Sequence, residues 1–211
     1  MITNSPQIHI IVQARTGSTR LPNKVMKYLE DKIVLEHVID RLSLSKYGSK
    51  VIISTTRKVN DNVIIEHCHQ RKTEIFSGSE KDVLNRYYET ATYYKSDIII
   101  RVTSDCPLID VQYIDMMIEY YLKNNLDYLG PKYFGNHKFP DGFNGEIFSY
   151  KVNEFNYPID YHLYKNIDFS TLHLSLDTKE DYLLIQDIFK HVYLTKNHFK
   201  LEDVLTFINK N

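Results

Sequence analysis

The 211-residue sequence predicts an α/β fold built around a mostly parallel β-sheet. Short apolar, β-branched runs at 8–12 (IHIIV) and 51–55 (VIIST) are typical of strands buried in a parallel sheet. Segments of helical period, such as 34–44, alternate with these runs. Strands alternating with helices of this length predict βαβ units, and the chain length is that of a single domain.

The remaining elements follow the same alternation in the first half of the chain. Strands are predicted at 8–12, 51–55, 74–76, 97–102 and 127–129, and helices at 34–44, 60–71, 81–94 and 111–123. Asn60 or Asp61 is expected to cap the second helix. The second half predicts a long loop at 130–145, strands at 146–150 and 172–176, and helices at 178–192 and 202–209. Thr178 is the expected cap of the helix at 178–192.

Composition excludes several classes of function. Lys and Arg number 26 and Asp and Glu number 27, so the chain lacks the basic excess of a nonspecific nucleic-acid binder. Cys68 and Cys106 lie far apart, which argues against a disulfide-dense secreted scaffold. We find no signal pattern and no apolar run near the ~20 residues that span a bilayer. We therefore expect a cytoplasmic, metabolite-handling domain without nucleic-acid or membrane partners.

The loop at 13–24 (QARTGSTRLPNK) carries the strongest chemical signal. Loops that follow parallel strands meet at one edge of the sheet, where open α/β sheets bind ligands. Arg15, Arg20 and Lys24 supply cations for phosphate oxygens, and the small residues between them let backbone amides approach. The loop therefore predicts a polyphosphate site, with a solvated basic turn as the alternative. The spacings of a P-loop and of a dinucleotide fingerprint are absent.

Two carboxylates are candidate metal ligands. Asp105 follows the strand at 97–102, and Asp177 follows the strand at 172–176. Mg²⁺ prefers oxygen ligands and is often held by one or two carboxylates together with phosphates, so the pair predicts a Mg²⁺ site. The alternatives are an Asx-turn at Asp105 and a helix N-cap at Asp177.

Two further segments are candidates for contact with the rest of a ligand. Gly78 and Ser79 form a turn into a helix on which Asp82 and Arg86 lie one turn apart. We interpret Asp82 and Arg86 as substrate contacts; the alternatives are a cap at Asp82 and an i, i+4 pair between the two. The polar, Gly-containing segment at 139–146 suits a hydroxyl-rich acceptor, with a long hairpin as the alternative.

Six motifs, in order along the chain, resemble the CMP-sugar synthetase (cytidylyltransferase) family. They are RxGSxRLPxK at 15–24, VLEHVIxRL at 34–42, GSxxDVLxRY at 78–87, RVTxDCPLID at 101–110, PDG at 140–142 and DTxED at 177–181. Together they resemble the branch named for the spore-coat polysaccharide protein SpsF. The resemblance implies a GT-A-like, nucleotide-diphospho-sugar-transferase α/β sandwich with a mixed, mostly parallel sheet. It also implies one cytidylyltransferase-like domain, with a nucleotide-binding half at 1–110 and an acceptor-binding half at 111–211.

The activity implied by the resemblance is Mg²⁺-dependent transfer of CMP from CTP to an acidic sugar or another small phosphate or acid acceptor, with release of pyrophosphate, for surface polysaccharide biosynthesis. The implied phosphate contacts are Arg15, Ser18, Arg20 and Lys24. The implied base and ribose contacts are Gln13, Ala14, Thr55, Gly78 and Ser79. Asp105 and Asp177 would ligate Mg²⁺ and act with Arg15 and Lys24 in catalysis. The implied acceptor contacts are Pro140, Asp141, Gly142, Asn144 and Glu146.

The sequence departs from the family's pattern at two places, and two other functions are alternatives to the one that the resemblance implies. Ser104 stands where the family usually has Gly, and the segment at 151–171 is shorter than the one in which relatives often build dimer contacts, so a homodimer stays open. A glycosyltransferase on the same fold would typically carry an Asp-x-Asp motif, which is absent at 104–107 (SDCP). An inactive nucleotide-binding protein is the other alternative, and retention of the three loop cations and both carboxylates argues against it.

Overall fold

The computed structural model describes residues 5–130, 142, 145–150, 173–196 and 198–209. In chain order the strands are β1 (Ile8–Gln13), β2 (Tyr28–Leu29), β3 (Lys32–Ile33), β4 (Lys50–Thr56), β5 (Glu74–Gly78), β6 (Ile98–Thr103), β7 (Tyr128–Leu129) and β8 (Glu146–Ser149). The α-helices are α1 (Val34–Leu42), α2 (Asn62–Arg71), α3 (Val83–Tyr94), α4 (Val111–Lys123), α5 (Lys179–Ile188) and α6 (Leu201–Ile208). Short 3₁₀ turns lie at Lys24–Met26 and Val59–Asp61, and a π-helical turn at Phe189–Tyr193 continues α5.

The central sheet is mixed and mostly parallel, as predicted. Within the described residues its strand order is β5-β4-β1-β6-β8-β7. The first four of these strands are parallel, and β8 runs antiparallel to both β6 and β7. Because β1 lies between β4 and β6, the loops that follow these three strands meet at one edge of the sheet. The register places Gln13 beside both Ser54 and Thr103 at this edge.

Helices cover both faces of the sheet. Ile10 and Val12 of β1 belong to the same apolar cluster as buried residues of α1, α2 and α4. Ile11, between them, belongs to a cluster on the other face that includes Tyr87 of α3. A strand buried on both faces needs apolar residues at consecutive positions, which explains the unbroken apolar run of β1.

A separate apolar cluster, here called the C-terminal apolar cluster, joins the C-terminal helices to the sheet edge where the loops after β1, β4 and β6 meet. This edge is here called the ligand edge. The cluster contains Ile185 and Phe189 from the α5 region, together with Leu21, Leu108 and Leu176. These three leucines are buried and lie in or beside the loops that carry the predicted site. Burial of one leucine side chain contributes about 1.5–3 kcal/mol, so the cluster fixes three chain segments that are distant in sequence.

The structure corrects two local expectations and adds one element that was not predicted. In the described part of 172–176 only an isolated bridge at His173 forms, so the predicted strand is wrong there. Leu174 and Leu176 produce the alternating pattern because both pack in the C-terminal apolar cluster rather than on a sheet face. The β2–β3 hairpin is not predicted, since two-residue strands are too short to show a period. Asp61 stands at the N-cap position of α2, but its side chain makes no capping hydrogen bond.

Other predictions are met or lie outside the described residues. The Thr178 cap of α5 is confirmed, since the Thr178 hydroxyl accepts a hydrogen bond from the Asp181 amide at 3.2 Å. Pro140, Asp141, Asn144 and the segment 151–171 lie outside the described residues. In the part of the chain that is described, we find no helix with the length and apolar character of a membrane span.

Candidate functional site

The loop after β1 is closed by hydrogen bonds to one carbonyl group. The Thr16 carbonyl oxygen accepts the Ser18 amide at 2.8 Å and the Asn23 amide at 3.1 Å. Asn23 has a φ of 55°, in the left-handed region that Asn tolerates better than most residues, and the 3₁₀ turn Lys24–Met26 follows it. Leu21 is anchored in the C-terminal apolar cluster. The loop therefore has a fixed shape that presents its cations at the sheet edge.

Lys24 joins the two predicted carboxylates. Its Nζ lies 2.6 Å from Asp105 Oδ2 and 3.0 Å from Asp177 Oδ1. Arg20 Nη2 lies 2.9 Å from the same Asp177 oxygen. The Lys24 side chain is only 12% exposed, whereas that of Arg20 is 65% exposed. The structure thus brings two predicted phosphate-binding cations and both predicted metal ligands into one cluster of charges.

The charges of this cluster determine the protonation states of Lys24 and Asp177. Burial disfavours the Lys24 ammonium, but the Asp105 and Asp177 carboxylates outweigh burial and raise the pKa of Lys24 above its ordinary value. Burial alone would raise the pKa of Asp177, yet Lys24, followed by Arg20 and His173, lowers the pKa of this carboxyl below its ordinary value. Lys24 and Asp177 are therefore both charged at neutral pH.

Backbone contacts, rather than a strand, bring Asp177 to Asp105. The Leu176 amide donates to the Asp105 carbonyl oxygen at 2.8 Å. Thr178 is the N-cap of α5, so the helix-cap alternative for Asp177 is wrong. With its carboxylate not used as a cap, Asp177 is available to the cations of the loop.

These side chains line a cavity of about 340 Å³ at the edge of the sheet, here called the nucleotide cavity. The predicted site residues that line it are Gln13, Ala14, Arg15, Ser18, Arg20, Lys24, Arg86, Asp105 and Asp177. Thr103 and Ser104 line it as well, although no ligand contact was predicted for either residue. At the mouth, Arg15 Nη1 lies 3.8 Å from Glu80 Oε1, and half of the Arg15 side chain is exposed.

Arg86 is a buried cation in the wall of the nucleotide cavity. Its Nη1 donates to the Ser79 carbonyl oxygen at 2.6 Å, and a Cβ on Gly78 would lie 2.8 Å from Arg86 Cγ. Gly78 and Ser79 do not line the cavity, but both contact Arg86, which does. Burial lowers the pKa of Arg86, and its Nε has no hydrogen-bond partner among the described residues. A buried donor without a partner is costly, which favours a ligand oxygen at this position.

Thr55, Asp82 and Gly142 are further predicted residues that do not line the nucleotide cavity. Thr55 is fully buried and is not among the lining residues, so its side chain has no access to a ligand there. Asp82 caps α3 by accepting the Asn85 amide at 2.9 Å, as its alternative predicted. Gly142 has a φ of +99°, and a Cβ there would lie 2.4 Å from the Leu174 carbonyl carbon. Glycine is therefore required at 142 to support the segment that leads to Asp177.

A second cavity, of about 810 Å³, lies beside the first and is here called the aromatic cavity. Glu146 of β8 forms an ion pair with Arg101 of β6 and accepts a hydrogen bond from the Tyr128 hydroxyl at 2.8 Å. Val83 of α3 lines both cavities, and Asp82 lines the aromatic one. Its aromatic lining residues are Tyr87, Tyr88, Tyr128, Phe148 and Tyr150. The Tyr88 and Tyr150 rings are stacked, with centroids 5.3 Å apart.

The mixed, mostly parallel sheet with helices on both faces is the α/β fold of nucleotidyltransferase-like proteins. A family model described as Cytidylyltransferase matches residues 9–202. The chain belongs to the cytidylyltransferase family, and by that membership it is an enzyme of the cytidylyltransferase class.

Two relatives cover nearly the whole chain. An uncharacterised protein from Methanocaldococcus jannaschii is 33% identical over 95% of this chain and 90% of its own length. The structure of a cytidylyltransferase from Leptospira borgpetersenii superposes with a TM-score of 0.87 at 28% identity, and the match covers 98% of this chain and 95% of that one. The family assignment therefore applies to both halves of the chain.

Two relatives with named functions match over shorter regions. The spore coat polysaccharide biosynthesis protein SpsF of Bacillus subtilis is 35% identical over 57% of this chain. A 3-deoxy-manno-octulosonate cytidylyltransferase of Francisella tularensis is 30% identical over 51% of this chain. These matches cover 52% and 43% of the two relatives, so the chain spans about half the length of each.

Proposed function

We propose that this chain transfers CMP from CTP to an acidic sugar or another small phosphate or acid acceptor, with release of pyrophosphate and with Mg²⁺ as cofactor. We place this activity in the cytoplasm, in surface polysaccharide biosynthesis. The observation that carries the proposal is the contact of Lys24 and Arg20 with Asp105 and Asp177 at the ligand edge of the sheet. Cations for phosphate and carboxylates for a metal are the two requirements of a metal–triphosphate complex.

The donor set of the nucleotide cavity fits Mg²⁺. Asp105 Oδ2 and Asp177 Oδ1 both lie within 3.0 Å of one positive centre, Lys24 Nζ. No group of three or more carboxylate, imidazole or thiol side chains forms a metal site among the residues that the structure describes. Two carboxylates suffice for Mg²⁺ because phosphate oxygens and water complete its coordination. Bound Mg²⁺ would neutralise phosphate charge and lower the pKa of an acceptor hydroxyl.

In the proposed reaction the chain contributes alignment and charge neutralisation rather than covalent chemistry. An acceptor oxygen, anionic or freed of its proton to solvent, attacks the α-phosphorus in line, the bond from that phosphorus to the bridging oxygen breaks, and pyrophosphate leaves with the bonding electrons. Arg15, Arg20 and Lys24 line the cavity and would neutralise the charge that grows on pyrophosphate. The hydrogen bonds to the Thr16 carbonyl fix the loop backbone, and two ion pairs hold the buried Lys24, before the nucleotide arrives, which reduces the cost of alignment.

The aromatic cavity supports the acceptor part of the proposal. Arg101 supplies a guanidinium that matches a carboxylate or phosphate, and Glu146 supplies oxygens that accept hydrogen bonds from hydroxyl groups. Arg101 and Thr103 lie two residues apart on β6 and therefore face the same side of the sheet. Thr103 lines the nucleotide cavity. An acceptor bound at Arg101 would thus extend toward the nucleotide.

The named relatives favour the same chemistry. The Francisella relative is named for 3-deoxy-manno-octulosonate, a sugar acid, and the Bacillus relative for spore coat polysaccharide biosynthesis. An acidic sugar in a polysaccharide pathway agrees with both names and with the Arg101 guanidinium.

The test is thermal denaturation with four nucleoside triphosphates, each with Mg²⁺. CTP should raise the Tm more than UTP, ATP or GTP, because the proposal requires recognition of cytosine. A ligand at 100 times its Kd stabilises by about 2.7 kcal/mol, which is a Tm shift of roughly 5–10 °C at this chain length. Equal shifts for all four nucleotides would remove the cytidine assignment.

A pair of lysine variants controls for the site of binding. Lys24→Met should abolish the shift given by CTP and Mg²⁺, because Lys24 bridges the two carboxylates of the nucleotide cavity. Lys32→Met removes a lysine that also pairs with an aspartate, Asp40, but lies outside the cavity. This variant should keep the wild-type shift, and loss of the shift in both variants would argue against binding in the nucleotide cavity.

A further inference from the structure

We propose that Asp61 is a positioning residue for the nucleotide: its buried carboxylate holds Thr16 and, through the Thr16 carbonyl group, the whole phosphate-binding loop. The proposal rests on the CTP-dependent function proposed above. Asp61 does not line the nucleotide cavity and lies outside the six sequence motifs.

The Asp61 carboxylate is directed at the loop rather than at its own helix. Asp61 is 1% exposed and stands at the N-cap position of α2, yet it accepts no capping hydrogen bond from that helix. Its Oδ1 accepts both the Thr16 amide and the Thr16 hydroxyl at 2.7 Å. Its Oδ2 accepts the Thr56 hydroxyl at the end of β4. One carboxylate thus joins the end of β4 to the start of the loop after β1.

Thr16 extends this anchor to both ends of the loop. The Thr16 carbonyl oxygen accepts the amides of Ser18 and Asn23, and the loop cation Arg20 lies between those two residues. Lys24 directly follows Asn23 and makes the bridge to the two carboxylates. A shift of Thr16 would therefore move Arg20 and Lys24 together.

Because Asp61 is negatively charged, a positioning role and a purely electrostatic role predict opposite effects of Asp61→Asn on the binding of CTP. The hydrogen bonds to the Asp61 carboxylate come from neutral groups of Thr16 and Thr56, and among the described residues no cation lies within 4.0 Å of it. A negative charge behind a polyphosphate site repels the ligand. Electrostatics alone therefore predict that Asp61→Asn tightens binding of CTP, whereas loss of the anchor predicts that it weakens binding.

Asp115 provides a matched control elsewhere in the fold. Like Asp61, it is a buried aspartate that accepts a hydroxyl group, from Ser45 at 2.5 Å, and a backbone amide, from Lys46 at 3.1 Å. It lies on α4 and lines neither cavity. Asp115→Asn therefore makes the same chemical change and a comparable loss of hydrogen bonding without disturbing the loop.

The experiment measures steady-state kinetics and amide hydrogen exchange of Asp61→Asn and Asp115→Asn. Asp61→Asn should raise the KM for CTP by about tenfold or more, which corresponds to loss of charge-assisted hydrogen bonds, and change kcat less. Exchange at Thr16, Ser18 and Asn23 should become faster without nucleotide. Asp115→Asn should leave both the KM and this exchange near wild-type values. If Asp61→Asn does not fold, Thr16→Val and Thr56→Val each remove one hydroxyl donor and should raise the KM by a smaller factor.

The two measurements distinguish failure of the Asp61 proposal from failure of the proposed CTP-dependent function. An unchanged or lower KM for CTP in Asp61→Asn overturns the positioning role, even if the loop amides exchange faster. An equal rise of the KM in Asp115→Asn overturns it as well, because the effect would then be one of general stability. Failure of the wild-type chain to bind CTP would instead refute the proposed function, while the exchange measurement without nucleotide would still decide whether Asp61 anchors the loop.

Discussion

The nucleotide cavity and the aromatic cavity lie side by side but are built differently. The nucleotide cavity has less than half the volume, about 340 Å³ against about 810 Å³. Four of its charged groups, Arg20, Lys24, Asp105 and Asp177, come from segments outside the strands and form one connected set of ion pairs. In the described part of the chain, the aromatic cavity has one ion pair, Arg101 with Glu146, and four tyrosines. Its residues come mainly from α3, β6 and β8.

On the proposed function, the reacting centre lies in the smaller of the two cavities. Chain segments that follow parallel strands can bring several charged side chains together because their backbones are free of the sheet ladder. A strand instead offers only every second side chain to one face. We therefore place phosphate and metal chemistry in the smaller cavity and recognition of the acceptor in the larger one. Variants in each cavity should separate the two roles.

The largest expected effect belongs to the two carboxylates of the nucleotide cavity. Asp105→Asn and Asp177→Asn each replace an anionic oxygen with a neutral amide and should lower Mg²⁺-dependent pyrophosphate release by about a thousandfold or more. The measurement is a pyrophosphate-release screen with CTP against ulosonic acids, nonulosonic acids, and sugar or polyol phosphates. Circular dichroism should show an intact fold in both variants.

Asp40→Asn is the control for this loss of activity. Asp40 pairs with Lys32 and Arg71 outside both cavities, so the same chemical change there should leave pyrophosphate release near the wild-type rate. Wild-type release from both cavity variants would refute the assignment of Asp105 and Asp177 as metal ligands.

Local sequence patterns were sufficient for most of the fold. Helix α4, Val111–Lys123, has the predicted bounds, because its apolar residues recur at helical spacing and Asp110 caps it. The strands β1 and β6 also lie within one residue of their predicted bounds, since burial on both faces demands an apolar run. The strand predicted at 172–176 was wrong because side chains that pack against a helix can alternate as strand residues do.

The contacts within the site depend on pairs that are distant in sequence. The sequence correctly placed Lys24 and Asp105 in segments that follow β1 and β6, whereas the strand predicted before Asp177 does not form. No local pattern predicted that Lys24 would bridge the two carboxylates across 81 and 153 residues. Asp61 stands at the N-cap position that the sequence indicated, but its carboxylate does not cap the helix. Its hydrogen bonds to Thr16, 45 residues earlier, leave no trace in a local pattern.

An intermediate effect is expected from Glu146 in the aromatic cavity. Glu146→Gln removes the charge that pairs with Arg101 and should raise the KM for the acceptor by about tenfold, while the KM for CTP stays within about twofold. Steady-state kinetics with each substrate varied in turn would measure both values. A rise confined to the KM for CTP would contradict the separation of roles between the cavities.

Glu74→Gln is the matched control for Glu146→Gln. Glu74 also pairs with a cation, Lys50, and accepts a tyrosine hydroxyl, from Tyr94 at 3.2 Å. It lies at the start of β5 and lines neither cavity, so this variant should keep the wild-type KM for both substrates.

The smallest expected effect is the pH dependence of stability that the nucleotide cavity contributes. The folded-state pKa of Asp177 is lowered from 3.8, so its contribution is present above pH 3.8 and is lost as the pH falls through the lowered value. The folded-state pKa of Lys24 is raised from 10.5, so its contribution is present below pH 10.5 and is lost as the pH rises through the raised value. A partly exposed pair contributes on the order of 1 kcal/mol, which is about 2–4 °C in Tm. Thermal denaturation should therefore show a constant Tm difference between wild type and Asp177→Asn near neutral pH that disappears in strong acid, and a difference that persists there would show that charge is not its source.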